Sequence, residues 1–404
     1  MTTLLGSTVR RVRTSGRNVA LTENRGLSWP WAPATIGATV TDQTALGLPA
    51  FYRGVMLIAR TLGGLPIQVF HEEIASNGKE GPTTKLKTAD TRYLWLRPNP
   101  EETKQTFWER VFADLVRGNA FIFVQKDDLG RPLYIWHCAR RRVRVGRTSS
   151  FQKIYEIDNE DPMIDYRDGG EIVHIPNWGE DIIGYDPVNI AAETLALGIS
   201  AREYAALSVS EGSIPPGIVS TEGKLTVAEA DELARLWASQ RSGNRKQQWV
   251  KFLSNGAKFQ QTSVDPDKMQ LESLRRLQAR EVATLLGLPP HVLSDVERST
   301  SWGTGIEEQN RNLMQFNFQG YLNAVEQAGS DALLVRELTN RYMKFNPNAL
   351  LRGTTLQRYQ AYRLADFLTI NEKRALEDME RIDGGDDLLA MTNLLPIDQL
   401  GKLD

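Results

Sequence analysis

The sequence predicts an α+β protein built around a two-helix stalk, and three observations lead there. Residues 47–178 carry helical apolar patterns early and strand-like ones after them. Asp186–Pro187 and Asp265–Pro266 each open a long helical pattern. Between those two patterns lies a stretch of about 50 residues with a strand, a helix and a strand of its own.

Within GLPAFYRGVMLIARTLGGLPIQVF, Phe51, Val55, Ile58, Ala59 and Leu62 recur at helical spacing. Gly63 and Gly64 stop that helix, and IQVF reads as a strand. A second helix is expected from Lys104 to Val116, with Phe107, Trp108, Val111, Phe112 and Leu115 on its apolar face and Gly118 at its end. AFIFVQK and PLYIWHC form a hairpin around Asp128–Gly130, and VRVGR, KIYEID and EIVHIPN continue the strands to about residue 178.

Asp186 then reads as a helix N-cap with Pro187 at the first helical position. The unbroken pattern that follows gives roughly 25 residues and about 37 Å of helix. Its small, Ala-rich positions favour close packing against neighbouring helices. Pro215, Pro216 and Gly217 end it. GIVS reads as a strand, and residues 227–239 as a helix opened by a Thr226/Glu229 capping box, with Ala230, Leu233, Leu236 and Trp237 on its apolar face. VKFLS reads as the strand after it, reached through the basic loop SQRSGNRKQQ. Asp265–Pro266 opens the second long helix, closed by Gly287 and the Pro289–Pro290 pair. Two long helices flanking a small insert describe a stalk with a knob at its end.

After the polar stretch SDVERSTSWGTGIEEQNRN, a helix is expected from Ile306 to about Leu338. Its stripe is Ile306, Asn310, Leu313, Asn317, Gly320, Ala324 and Gln327, with bends at Gly320 and Gly329. A helix over 354–367, a Thr369/Glu372 capping box and a surface turn at DGGDD (383–387), capping a following helix, complete the pattern.

A net charge of −2 rules out a chain that attracts nucleic acid as a whole. The longest apolar runs, GVMLIA and AFIFV, are too short to cross a bilayer, so no membrane partner is expected. The first residues, to about Trp31, have scattered arginines and no secretion-signal pattern, and read as a flexible arm. Cys138 stands alone, which excludes an internal disulfide and a multi-cysteine metal site. It reads as a small, partly buried residue rather than a reactive thiolate.

Enzymatic readings need residues that are missing. No GxxxxGK[ST] or GxSxG occurs, and WGTG supplies only Gly303 and Gly305, without a strand before it. His71, His137, His174 and His291 are isolated in sequence and are expected to be satisfied by backbone groups. No catalytic residue, metal or cofactor is expected. The basic run Arg140, Arg141, Arg142, Arg144 and Arg147 has three readings: nucleic-acid binding, a charge-protected edge strand, or subunit salt bridges. Strand alternation would put Arg140, Arg142 and Arg144 on one face and Arg141 on the other.

Seven segments in order resemble the portal proteins of long-tailed (siphovirus-type) bacteriophages. They are AFYRGVMLIARTLGGLPIQVF; WLRPNP with TFWERVFADLVRGNAFI; EIVHIPNW with GYDPVNIAA; SIPPGIVS; REVATLLGLPPHVL; STSWGTGIEEQ; and the C-terminal LLRGTTLQRYQAYRLADFLTINEKRALEDMERIDGGDDLLAMTNLLP. The resemblance implies a portal fold: wing, two-helix stem, small α/β clip and long wing helix. It places a flexible N-terminal arm at 1–31 and the wing at 32–185, with stem helices at 186–212 and 264–288 around a clip at 213–263. The tunnel-loop region falls at 289–305, the long wing helix and C-terminal helices at 306–390, and a short crown or tail at 391–404.

It further implies a ring, a dodecamer, at one capsid vertex of the virion, assembled in the bacterial host cytoplasm. Double-stranded DNA would pass through that ring without sequence specificity during packaging and ejection. The implied partners are the terminase large subunit, a head-completion or adaptor protein and the major capsid protein. Arg298, Ser299, Thr300, Ser301, Trp302, Gly303 and Thr304 would form the DNA-contacting tunnel loop, with Trp302 either anchoring the loop against the wing or touching DNA. Arg241, Arg245 and Lys246 would face the packaging motor. The family commonly has a less glycine-rich turn here, so Gly303 and Gly305 imply a more mobile loop. The alternatives are a nucleotide-using DNA-processing enzyme and a capsid or tail protein without a channel.

Overall fold

The structure, a computed structural model, describes residues 21–23, 38–74, 80–86, 91–148, 151–158, 163–165, 170–179, 182–210, 217–220, 226–228, 231, 258–261, 271–293, 312–333, 340–347, 355–377 and 379–387. It divides into two units, residues 1–345 and 346–404.

The first unit opens with β1 (Leu21–Glu23) and the short helix α1 (Asp42–Leu46), which starts at a Thr41/Thr44 capping box. α2 (Pro49–Gly63) follows, and Phe51, Val55, Ile58, Ala59 and Leu62 are all buried, as the spacing predicts. β2 (Ile67–Ile74) and β3 (Glu80–Leu86) form a hairpin, and α3 (Arg92–Trp95) leads to α4 (Lys104–Val116). α4 has the predicted bounds, with Phe107, Trp108, Val111, Phe112 and Leu115 fully buried. Each such side chain taken out of water contributes about 1.5–3 kcal/mol. α2 and α4 lie along one another, and Gly63 marks a close approach. A Cβ there would sit 2.6 Å from the Glu109 amide nitrogen.

β4 (Asn119–Lys126) and β5 (Pro132–Cys138) form the expected hairpin. A 3₁₀ turn at Arg140–Arg142 precedes β6 (Val143–Arg147), β7 (Lys153–Ile157), β8 (Met163–Ile164) and β9 (Ile172–Pro176). One sheet has the order β5-β4-β9 and a second β1-β6-β7-β8. Phe121, Phe123, Val143, Val145, Tyr155, Ile172, Ile182 and Ile183 pack into one core drawn from both. Two corrections follow. Residues 21–23 of the expected flexible arm pair with β6, which makes β6 an interior strand rather than a charge-protected edge. Arg140–Arg142 is helical turn, so the arginines do not alternate along one strand.

The first stalk helix comes in two pieces, α5 (Pro187–Ile190) and α6 (Ala192–Ser210), not one unbroken run. The Asp186 carbonyl accepts from both the Asn189 and Ile190 amides at 3.1 Å, so the first turn is wound tighter than α6 and the phases meet at Ala191. β10 (Gly217–Ser220) pairs antiparallel with β11 (Lys258–Gln261), so the strand found opposite GIVS is KFQQ. VKFLS and all but the first residues of the 227–239 helix lie outside the described residues.

α7 (Leu271–Leu285) packs on α6, and its Asp265–Pro266 start also lies outside them. The predicted close packing holds at Gly198, where a Cβ would come 2.0 Å from the Gln278 amide nitrogen. Gly287 ends the helix at φ +65°, the left-handed region that favours glycine.

The long helix combines a π segment at Leu313–Phe318, α8 (Gln319–Ala328) and a second π segment from Gly329 to Leu333. Leu313, Met314, Phe318, Leu322, Val325, Ala328, Ala332 and Leu333 are buried. Ile306 and Asn310 of the expected stripe lie outside the described residues, and of its described members only Leu313 belongs to that face. A π turn bonds i to i+5 and widens the spacing, so counting at 3.6 residues per turn slips out of phase. Gly329 does sit where the winding changes, whereas Gly320 lies inside regular helix.

β12 (Arg341–Phe345), which the sequence pattern missed, pairs with β2 to give the sheet β12-β2-β3. Its Phe345 ring meets Trp108 and Phe112 at 5.7 and 5.5 Å between centroids.

The second unit contains α9 (Thr355–Leu364) and α10 (Ile370–Leu376), the latter with the predicted Thr369/Glu372 capping box. The 383–387 turn is tied back to α10. Asn371 donates to the Ile382 carbonyl at 2.9 Å, and the Gly385 carbonyl accepts from the Asn371 amide at 2.8 Å. The helix expected after this turn, and the 391–404 tail, lie outside the described residues.

Two glycines separate steric need from conformational cost. Gly63→Ala forces α2 away from the α4 backbone and is expected to destabilise the first unit by about 1–3 kcal/mol. Gly320→Ala, with nothing within 4 Å of its added Cβ, is expected to stabilise it by roughly 0.5–1 kcal/mol. Urea unfolding of both variants checks the pair of signs.

Candidate functional site: the charged joint at the root of the stalk

Asp186 begins the stalk, and its carboxylate has two uses. One oxygen accepts from the Val188 amide at 2.9 Å, capping α5. The other lies 2.9 Å from Arg140 Nη1. Arg140, with its side chain 5% exposed, also donates to the Arg117 carbonyl at 2.7 Å and pairs through Nη2 with Asp42 in the first turn of α1. One guanidinium thus joins α1, the end of α4, the 3₁₀ turn before β6 and the root of the stalk.

A second carboxylate completes the joint. Asp114, buried on α4, pairs with Arg117, lies 2.9 Å from His137 Nε2 and accepts from the Arg140 amide at 3.1 Å. Burial by itself would raise the Asp114 carboxyl, but the His137 hydrogen bond and the Arg117 charge outweigh it and hold the group below the ordinary carboxylate range. At Asp186 burial wins, and its carboxyl is pushed up despite Arg140. Arg140 itself is held more firmly charged: burial opposes its charge, but Asp186 and Asp42 outweigh that. The two shifts agree once one cation is seen to serve two carboxylates, since Asp42 adds to the burial effect at Asp186.

The link continues up the stalk, where Arg202 on α6 donates to the Gly47 carbonyl at the end of α1, at 2.6 Å. On the other stalk helix, Asn317 of the long helix donates to the Gly287 carbonyl.

Most of the basic run is therefore occupied within the chain. Arg140 is in the joint, Arg142 pairs with Asp158, and Arg144 pairs with Glu156 across the β6–β7 ladder. The histidines depart from expectation too. His137 meets a carboxylate, and His174 Nε2 lies 3.0 Å from Asn119 Oδ1 in a buried chain where Tyr155 donates to Asp165 at 2.9 Å. His174, Asn119, Tyr155 and Asp165 are all buried, and their bonds tie β4, β7 and β9 together. Cys138 is partly buried, and burial pushes its thiol up to about 11, so it carries no thiolate near neutral pH. Among the described residues, no group of three His, Cys, Asp or Glu side chains could hold a metal ion.

The proposed tunnel-loop residues, Arg298 to Thr304, and the clip residues Arg241, Arg245 and Lys246 lie outside the described residues. The joint was legible only in part. The Asp186 cap follows from the Asp-Pro dipeptide, but Asp42 and Asp114 are 98 and 26 residues from Arg140 in sequence, and no local spacing announces them.

A family model described as phage portal protein matches residues 49–378, and the chain belongs to that family. It is 29% identical over 375 residues to the probable portal protein of Streptomyces phage phiC31, covering 88% of this chain and 79% of that one. The portal protein of Enterobacteria phage HK97 is 27% identical over 372 residues, with 90% and 86% covered. Among solved structures, an HK97 family phage portal protein from Corynebacterium diphtheriae aligns with a TM-score of 0.57 at 16% identity, over 77% of this chain and 96% of that one. The neck of an empty gene transfer agent particle aligns at 0.55 and 18% identity, over 84% and 93%. The mixed α/β architecture is that of the portal fold.

Asp114→Asn removes the charge that Arg117 and His137 face and is expected to cost on the order of 3 kcal/mol near neutral pH. The folded Asp114 carboxyl titrates below its unfolded value of about 3.9, so its stabilisation is present above that value and lost as pH falls through the folded one. The gap between native and variant stability therefore closes on acidification, as urea unfolding across pH will read.

Proposed function

We propose that this chain forms a ring, a dodecamer, at a single vertex of a siphovirus-type head. The ring is the conduit for double-stranded DNA in packaging and ejection. The observation that carries this reading is the family match over residues 49–378, which takes in both stalk helices and the sequence between them. Ile190, Tyr204 and Leu277 on the stalk are 59%, 37% and 50% exposed in the single chain, apolar surface that a neighbouring copy would cover. A heterologous contact of this kind closes into a ring when its rotation fits.

On this reading 186–212 and 264–288 are the stem, 213–263 the clip, and 32–185 with 306–390 the wing. The joint then fixes the angle between stem and wing. Arg241, Arg245 and Lys246 on the clip would face the terminase large subunit and later the head-completion protein, while the major capsid protein surrounds the wing in the virion. A conduit must release DNA as readily as it touches it, because every neutralised phosphate adds salt-sensitive affinity and the ring multiplies each contact. Uncharged Ser299, Thr300, Ser301 and Thr304 in the tunnel loop suit weak, transient contact. The chain acts structurally, without a catalytic step or cofactor.

Native mass measurement of the purified protein should give a ring near twelve subunits, and a monomer at all concentrations would sink the reading. Deleting residues 299–304 should leave ring mass unchanged while packaging or genome retention falls. Native packaging and retention in that deletion would remove the loop from the DNA path.

A further inference from the structure

The two π segments of the long helix are fastened very differently. At Gly329–Leu333 the winding is held from several sides. Ser330 Oγ donates to the Glu326 carbonyl at 2.6 Å and accepts from the Met343 amide at 3.0 Å. The Glu326 carboxylate accepts from the Phe345 amide at 2.8 Å, and Tyr93 donates to the Leu333 carbonyl. Met343 packs on Gly329 and leaves no room for a Cβ there. Ala332 and Leu333 are 1% and 0% exposed.

The Leu313–Phe318 segment is tied far more lightly. Among the described residues, its side chains make one hydrogen bond, from Asn317 to the Gly287 carbonyl just past the end of α7. The left-handed turn at Gly287 lies directly against that side chain, since a Cβ there would come 3.2 Å from Asn317 Nδ2. Leu313 and Met314 are 9% and 8% exposed, and Gln315 and Phe316 face solvent. The Gln319–Asn323 bond at 2.7 Å stays within α8 and ties it to no other element.

Gly320 follows at once. A glycine inside a helix weakens it, and Gly63 and Gly198 show the usual reason for keeping one, a close approach. Gly320 has no such reason. Nothing lies within 4 Å of an added Cβ, and its φ is not left-handed. Three marks of softness therefore fall together in Leu313–Gly320: a rare winding that recurs at functional sites, a glycine without steric need, and a single outside bond.

We infer that Leu313–Gly320 is a latched hinge in the long helix, and that Asn317 is the latch, closing it on the end of the second stalk helix. Beyond the hinge Leu322, Val325 and Ala328 are buried, so α8 stays with the core when the latch opens. Opening costs one neutral hydrogen bond. The same motion at Gly329 would break the ties to β12 and α3 together. On the ring reading, which this use of the hinge rests on, strain in the stalk reaches the long helix through that one bond.

The test uses the purified full chain, native and with Asn317→Leu, Gly320→Ala or both. Amide hydrogen exchange is read at Leu313–Phe318, with Leu322–Ala328 as internal reference, beside melting temperature and native mass. Asn317→Leu is expected to speed exchange at Leu313–Phe318 roughly fivefold, the worth of one hydrogen bond, and to leave the reference unchanged. Gly320→Ala should slow it roughly threefold while raising the melting temperature, with the double variant between the two. In assembled particles Gly320→Ala should package or retain less genome than native despite its greater stability, which a merely structural glycine would not cause.

Native exchange at Leu313–Phe318 as slow as at the reference overturns the hinge, and an unchanged rate in Asn317→Leu overturns the latch. Native packaging and retention with Gly320→Ala overturns the use proposed for it. A native chain that stays monomeric overturns the ring reading instead, and the exchange rates still decide the hinge.

Discussion

One buried guanidinium organises the architecture. Arg140 cannot be left without anions in an interior that solvates charge poorly, so Asp186 and Asp42 must come to it. Asp186 is also the cap of the first stalk helix, so satisfying the arginine fixes where that helix starts and the direction in which it leaves. Breaking any member strands a charge, which makes the joint stiff. It is an expensive device for stability alone. Its use is geometric, because a stalk that must meet copies of itself needs a defined angle to the body that carries it.

The same demand for geometry explains the close approaches. Gly63 lets α2 meet the α4 backbone, and Gly198 lets α6 meet Gln278 of the second stalk helix. The π segments do comparable work in the long helix. They rotate its buried face so that Leu313 and Met314 at one end and Ala332 and Leu333 at the other are both covered. β12 then returns to pair with β2 and sets Phe345 against Trp108 and Phe112. The long helix is thereby bound to the same core as α4.

The β6–β7 ribbon shows the opposite economy. Its root is neutralised pair by pair, Arg142 with Asp158 and Arg144 with Glu156, while its tip keeps an exposed aromatic, Phe151, in the left-handed region. Local rules are obeyed where the ribbon has only to fold and broken where it reaches solvent.

By itself the sequence determined what depends on neighbours along the chain. The bounds of α4, the apolar face of α2, the β4–β5 hairpin, the Thr369 and Asp186 caps and the glycine stop at Gly287 all follow from periodicity, turn chemistry and orphan helix-end amides. Ordered segments carried the family resemblance, because a family shares those local patterns in sequence order.

Tertiary structure alone decided which charges met. The arginine run looks like a surface patch until Asp42, Asp114 and Asp186 arrive from distant parts of the chain. β12 is too short to declare itself without β2 beside it, and the π turns, which no 3.6-residue count anticipates, set the face of the long helix. Local pattern encodes elements because backbone hydrogen bonds are short-ranged. Ion pairs and sheet partners join residues that only the folded chain brings together.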